Sequence, residues 1–216
     1  MTQPPPEGRT DLSPAELEAL DTRWAHAWTP AEVASRLAGV TTPWYVAAGW
    51  ALDLFRGKQT RRHGDLEIAI PAADFPEIRD RFADYVFDAV GDKRLWPNPS
   101  PEDLAATHQT WFRDPSTDNY LVDVFREPHE GRTWICRHHP TIRLPYDDII
   151  CHTPDGIPYL TPELVLLFKA KHTRPKDQAD FAAIAPELEP ARRARLAELI
   201  GQVYPGHRWL AELAEL

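Results

Sequence analysis

Hydrophobic and polar positions change period several times along the chain, and each change marks an element. From Asp65 to Ile70 the alternation is strict, with Leu66, Ile68 and Ile70 on one side and Asp65, Glu67 and Ala69 on the other. That pattern predicts a half-buried strand, which Pro71 stops. Trp44–Ala48 reads as a short buried strand broken by Gly49, and Tyr85–Val90, Thr110–Arg113, Tyr120–Phe125 and Thr133–Arg137 are further strand candidates. Ser13-Pro14-Ala15-Glu16 and Thr29-Pro30-Ala31-Glu32 each combine an N-cap, a proline at the first helical position and a glutamate three residues after the cap. Two helices therefore precede the strands, the first of about 12 residues and the second closed by Gly39.

Trp50–Phe55 predicts a short helix ending at Gly57, and Phe75–Phe82 has helical spacing. Between Trp96 and Thr107 a proline-rich loop with one short helix is expected. Thr161-Pro162 opens a helix over Glu163–His172 with an apolar stripe of Leu164, Leu167 and Phe168. Pro175 starts another, through Phe181 to Ile184, and Pro190–Leu216 forms one or two amphipathic helices. The order of helices, strands with intervening helices, then helices predicts the α+β class. The expected organisation is a frayed, proline-rich lead over residues 1–12, an α/β unit over 13–155 and a helical subdomain over 156–216. No internal repeat is visible.

Composition adds little to this picture, except at one point. The 216 residues are 43% hydrophobic and 26% charged, enough to bury a core without staples. Proline, at 22 residues, is enriched as punctuation and not as a tract. The net charge of −9 disfavours nucleic acid as a partner. Cys136 and Cys151 form neither a disulfide framework nor a metal knuckle. The start, Met1–Glu7, has no cationic or apolar stretch of a secretory signal, and no run approaches the roughly 18 apolar residues of a membrane span. A soluble cytoplasmic protein is expected.

Several chemistries lack their residues: there is no GxGxxG, GxxxxGK[ST], GxSxG or HExxH. His138 and His139 are adjacent and point to opposite faces, so they do not share a metal. Carboxylates remain. Asp65 and Glu67, two apart on a strand, project from one face roughly 7 Å apart. Asp123 is a lone carboxylate in the apolar run Leu121–Phe125. Three carboxylates converging from adjacent strands make an oxygen-rich site for Mg²⁺ or Mn²⁺, which commonly binds through substrate phosphates. The alternative is the solvated face of an amphipathic strand. Gly49 lets backbone approach a phosphate closely, and Lys58, Arg61, Arg62 and His63 precede the acidic pair, as a metal–triphosphate complex requires. A charged surface loop with local ion pairs is the competing reading.

The block from Ala48 to Ile68, Ala48-Gly49-Trp50-Ala51-Leu52-Asp53 followed by Gly57-Lys58 and Arg61-Arg62-His63-Gly64-Asp65-Leu66-Glu67-Ile68, resembles the signature of DNA polymerase β-type nucleotidyltransferases. It is most similar to the branch of aminoglycoside 2″-nucleotidyltransferases and lincosamide nucleotidyltransferases. The resemblance implies a polymerase β-like core with a C-terminal helical subdomain. It implies Asp65 and Glu67 as the metal pair, Asp123 as third carboxylate or general base, Gly49 at the phosphate turn, and Arg61 and His63 at the nucleotide end. Basic residues of the C-terminal helices then reach the triphosphate, with Lys169, Lys171 and Arg174 as candidates. The implied activity is transfer of an NMP, AMP foremost, from an NTP to a hydroxyl of an aminoglycoside- or lincosamide-like molecule. A toxin-like enzyme acting on tRNA or protein and a non-catalytic nucleotide-binding module are the alternatives.

The sequence departs from the family pattern where Ala48 replaces its usual first glycine and Glu67 its commoner aspartate. Trp24, Trp28, Trp44 and Trp50 are expected to build a helix–sheet interface. Asp53 is either an orienting partner for a cation such as Arg61 or a plain helix-surface aspartate.

Overall fold

Prolines and side-chain caps start most helices of the computed structural model, which describes residues 14–92 and 94–216. Helix α1 spans Pro14–Thr22. Its expected cap at Ser13 and the frayed segment 1–12 lie outside the described residues. In α2 (Pro30–Arg36) the capping box is complete: Thr29 Oγ1 accepts from the Glu32 N–H, and Glu32 accepts from the Thr29 N–H at 2.8 Å. Strand β1 is only Tyr45–Val46, because Ala47 already caps α3 (Ala48–Arg56). Gly57 ends α3 in the left-handed conformation at φ 66°. There follow β2 (Glu67–Pro71), α4 (Phe75–Arg81), β3 (Val86–Gly91), β4 (Arg94–Pro97), α5 (Pro101–Ala106), β5 (Gln109–Arg113) and β6 (Tyr120–Glu127). The chain continues through β7 (His129–Glu130), β8 (Thr133–Ile135), β9 (Arg143–Pro145), α6 (Tyr146–Ile149), β10 (Ile150–His152) and β11 (Pro158–Leu160). It ends in α7 (Pro162–Ala170), α8 (Pro175–Ile184), α9 (Pro190–Val203) and α10 (Trp209–Ala214).

Among the described residues the principal sheet has the order β10-β11-β1-β2-β6-β5-β3-β4, and β7-β8-β9 form a smaller one. The pairs β1–β11 and β2–β6 are parallel and the others antiparallel, so the sheet is mixed. The α+β expectation is met. Strand β11 sits inside the sheet beside β1, with Val46 opposite Tyr159. The helix that follows it, α7, packs against α3, α8 and α9.

Two details differ from expectation. Strand β2 begins at Glu67, so Asp65 precedes it. It is also covered on both faces, since Ala69 and Pro71 are as buried as Ile68 and Ile70. Helix α7 is likewise apolar on more than one side, with Leu164, Val165, Leu166 and Leu167 all buried, and is packed within the core. In addition, β4 occupies part of the stretch expected to be loop.

The N-terminal tryptophans anchor the first helices as expected: Trp28 packs edge-on against Phe82 and Tyr85, and Trp24 stacks on Tyr120. No helix among the described residues is long and apolar enough to cross a membrane.

Candidate active site

The site forms where α3 leaves the sheet. The Ala47 N–H donates to the Glu67 carbonyl at 2.8 Å, holding the start of α3 against the start of β2. Ala48 takes φ 49°, a left-handed conformation that favours glycine. Gly49 is buried, and a Cβ there would lie 2.5 Å from Arg61 Nη2 and 2.8 Å from His63 Cε1. Glycine is therefore required because two side chains of the same motif block cross its backbone.

His63 is fixed from two sides. Its Nε2 lies 2.6 Å from Asp53 Oδ2, both side chains being almost wholly buried, and its ring stacks on Trp50 at 4.4 Å. Burial lowers the imidazole pKa, against the opposing hydrogen bond of Asp53, so the neutral ring donates its Nε2–H to the carboxylate. Thr60 donates to the other oxygen of Asp53. Asp53 thus orients His63 and Thr60, and neither of its expected roles describes it. Trp50 packs as expected and also donates its indole N–H to the Asp65 carbonyl at 3.1 Å.

The carboxylates come from neighbouring strands. The parallel β2–β6 register sets Glu67 opposite Asp123, and the Asp123 N–H donates to the Leu66 carbonyl at 2.9 Å. Glu67 is half-buried and Asp65 exposed. Burial raises the Glu67 pKa, the charges of Asp65 and Asp123 raise it further, and Lys169 and Lys176 oppose them. Asp123 is pushed up to about 8, chiefly by burial. Gln109 donates to its Oδ2 at 2.6 Å, whereas the buried Oδ1 has no hydrogen-bond partner. The Trp111 indole N–H faces this carboxyl but makes no hydrogen bond.

Among the described residues no three His, Cys, Asp or Glu side chains stand ready-made around a metal position. The donor chemistry nonetheless fits a hard divalent cation. All three groups are carboxylates, they crowd one another electrostatically, and one buried oxygen is unpartnered. Mg²⁺ needs only one or two protein carboxylates when phosphates and water complete its shell.

Cations face this pair from α7 and α8. Lys169 Nζ lies 3.2 Å from Asp177 and 2.8 Å from Asp180, while Arg61 Nη2 lies 3.7 Å from Asp180. Arg174 donates to Asp177 through its backbone N–H and through Nε at 2.7 Å. Asp177 and Asp180 thereby link three of the candidate phosphate-binding cations. Lys171 is exposed at the end of α7, where its charge is felt by His138, and it does not join this network. Lys176 was not singled out in the sequence, nor were the two aspartates. Their signal was the Asp177/Asp180 spacing, which puts both on one face of a helix.

A cavity of about 660 Å³, counting its open mouth, runs from Ala47 and Ala48 along β6 to Glu127, with Phe168, Lys169 and Arg174 in its wall.

An acidic strand start and a third carboxylate on the parallel neighbour are thereby gathered at a glycine-bearing helix start. Residues 31–98 match the family model of aminoglycoside-2″-adenylyltransferase, so the resemblance read from the motif block is borne out over that stretch. The match contains the whole block from Ala48 to Ile68 and ends before Asp123. No curated protein matches the chain. Among solved structures, the lincomycin-bound lincosamide antibiotic adenylyltransferase LnuA aligns at 16% identity and TM-score 0.49, over 71% of this chain and 94% of its own. The solution structure of the antibiotic-resistance factor ANT(2″)-Ia aligns at 12% identity and TM-score 0.46, over 86% of each chain. ANT(2″)-Ia in complex with adenylyl-2″-tobramycin aligns at 11% identity and TM-score 0.46, over 86% of this chain and 92% of its own.

Proposed function

We propose that this protein transfers a nucleotidyl group, AMP from ATP, to a hydroxyl of a small antibiotic-like acceptor of the aminoglycoside or lincosamide kind. The observation that carries the reading is the register of β2 and β6. It brings Glu67 and Asp123 side by side, next to Asp65 and the start of α3. The family match over residues 31–98 supports the same reaction, and the net charge of −9 favours a cationic acceptor over RNA.

Asp65, Glu67 and Asp123 are the residues that would hold Mg²⁺ or Mn²⁺, which when bound neutralises phosphate charge and aligns the phosphates for in-line displacement. Arg61, Lys169 and Arg174 meet the triphosphate, already grouped by Asp177 and Asp180. His63, buttressed by Asp53 and Trp50, stands with Arg61 over Gly49. The acceptor hydroxyl oxygen attacks the α-phosphorus, the bond to the pyrophosphate oxygen breaks, and the hydroxyl proton passes to a carboxylate. Asp123 is the base: Gln109 fixes its Oδ2, and Oδ1 has no competing donor.

Pyrophosphate release is the test, measured with each NTP and Mg²⁺ or Mn²⁺ across aminoglycosides, lincosamides and bulk tRNA. Release dependent on a small acceptor is expected, and Asp65→Asn should reduce it at least ~10³-fold with an unchanged circular-dichroism spectrum and Tm. Full activity in the folded Asp65→Asn protein overturns the assignment. Release with tRNA alone moves the acceptor to the toxin-like class.

A further inference from the structure

The far end of β6 carries a buried cation with no counter-charge. Arg126 lies three residues beyond Asp123, so its side chain leaves the sheet on the face opposite that carboxylate. Only 7% of it is exposed. Its Nε donates to Thr110 Oγ1 at 2.8 Å, and its Nη2 to Thr107 Oγ1 at 2.7 Å and to the Gln109 carbonyl at 3.3 Å. Nη1 donates to the Leu104 carbonyl. All these acceptors are uncharged, and no carboxylate among the described residues pairs with the guanidinium. Of the five N–H groups of an arginine, one on Nη1 is left over. Burial lowers the Arg126 pKa to about 10, against the charge of Asp123. Neutral oxygens satisfy the N–H groups of a buried guanidinium without balancing its charge, and that imbalance is costly.

Arg126 stands in the wall of a groove of about 1080 Å³, counting its open mouth, between the start of α4, α5 and the end of β6. Phe75, Pro76, Pro101, Leu104 and Pro128 give it apolar walls. Its other basic residues are already matched. Arg137 Nη1 pairs with the buried Glu127 carboxylate at 3.1 Å. The His108 imidazole is neutral: its Nε2 accepts from Arg137, and its Nδ1–H donates to the Arg126 carbonyl at 3.1 Å. Among the described residues no carboxylate lines the groove, although the chain carries a net charge of −9. One unmatched positive charge among apolar walls suits a ligand with one negative charge on an apolar body. A polyanion needs several free cations, and a broad macromolecular surface does not reach a side chain so deeply set.

We propose that this groove is a binding site separate from the transfer site, and that it takes a small alkyl carboxylate, with the headgroup against Arg126 and the chain between α4 and α5. The headgroup supplies the missing counter-charge, and the apolar walls cover the chain.

Calorimetric titration of the full chain with octanoate and with octanol, near neutral pH and without nucleotide or metal, tests the proposal. The wild type should bind octanoate at least about tenfold more tightly than the alcohol, the gain of a charge-assisted contact over a neutral one. Ala105 lines the groove from α5 and is exposed, so Ala105→Glu and Ala105→Gln add side chains of equal size with and without a charge. Ala105→Glu should bind octanoate about fivefold more weakly than Ala105→Gln, while octanol binds both equally. Arg126→Gln keeps a donor for the Leu104 carbonyl and should bring the two ligands to within about twofold in the folded protein. The Ala105 pair decides the matter should that buried replacement fail to fold. Absence of octanoate binding, equal binding of acid and alcohol by the wild type, or equal octanoate binding by Ala105→Glu and Ala105→Gln overturns the proposal.

Discussion

Ala48 holds a methyl group on a backbone at φ 49°, where a Cβ crowds the adjacent carbonyl oxygen. Left-handed geometry costs a non-glycine residue about 1–2 kcal/mol, and the greater freedom of glycine in the unfolded chain returns about half of that. Ala48→Gly should therefore stabilise the protein by roughly 0.5–1 kcal/mol, a rise in Tm of about 1–3 °C in a scanning calorimeter. An unchanged or lower Tm contradicts the strain. The departure from the family motif was visible in the sequence, but its cost was not, because the dihedral follows from how the Ala47 N–H is tied to Glu67. The same limit applies around it. Gly49 stood out as a close-approach glycine, yet what crosses it is Arg61 and His63. The sequence marks Asp53 but not its partner His63, since the turn from Gly57 to Gly64 decides which side chain returns to it.

At the scale of elements, the legible ones carry caps or a sustained period, such as α2, α7, β6 and the core of β2. Strands β7, β9, β10 and β11 are two or three residues long, too short for any period, and only the sheet itself reveals them. Glu127 lay within reach, because alternation carried past Phe125 puts it on the face of Asp123. Glu163 of α7 shows a contact that no pattern displays. It is fully buried, and Arg192 of α9 donates to its two oxygens at 2.9 and 2.8 Å, while Arg195 stands at 3.6 Å. Removing Arg192 strands a buried carboxylate on its weaker partner. Arg192→Met should cost about 2–4 kcal/mol by urea unfolding. Arg195→Met should cost less than about 1 kcal/mol, because that cation contributes no hydrogen bond. Equal costs would mean that the two arginines share the charge evenly.

For the whole molecule, buried titratable groups of both signs shape stability against pH, so the net charge of −9 is a poor guide to it. His108 is held down to about 3, first by burial and then by the charge of Arg137, whose Nη1 lies 2.6 Å from its Nε2. His138 is lowered to about 4 in the same way, whereas Asp123 is raised to about 8. Between the ordinary histidine value near 6.5 and about 3, the unfolded chain holds a proton on His108 that the folded chain does not. Stability from this group is therefore present above about 6.5 and is lost as the pH falls toward 3. Asp123 acts with the opposite sign, its folded form binding a proton that the unfolded form releases, so the total curve mixes both. Replacing one group separates them. In His108→Gln the amide oxygen can accept from Arg137 as the neutral imidazole does, with nothing left to titrate. Relative to the wild type, this variant should gain about 1–2 kcal/mol between pH 7 and pH 5, close to the limit of one proton at about 1.4 kcal/mol per pH unit. Urea unfolding of both proteins at pH 7, 6 and 5 gives that difference directly. A difference that does not change with pH would mean that His108 takes up its proton in the folded state as readily as in the unfolded chain, with Arg137 moved away from the imidazole.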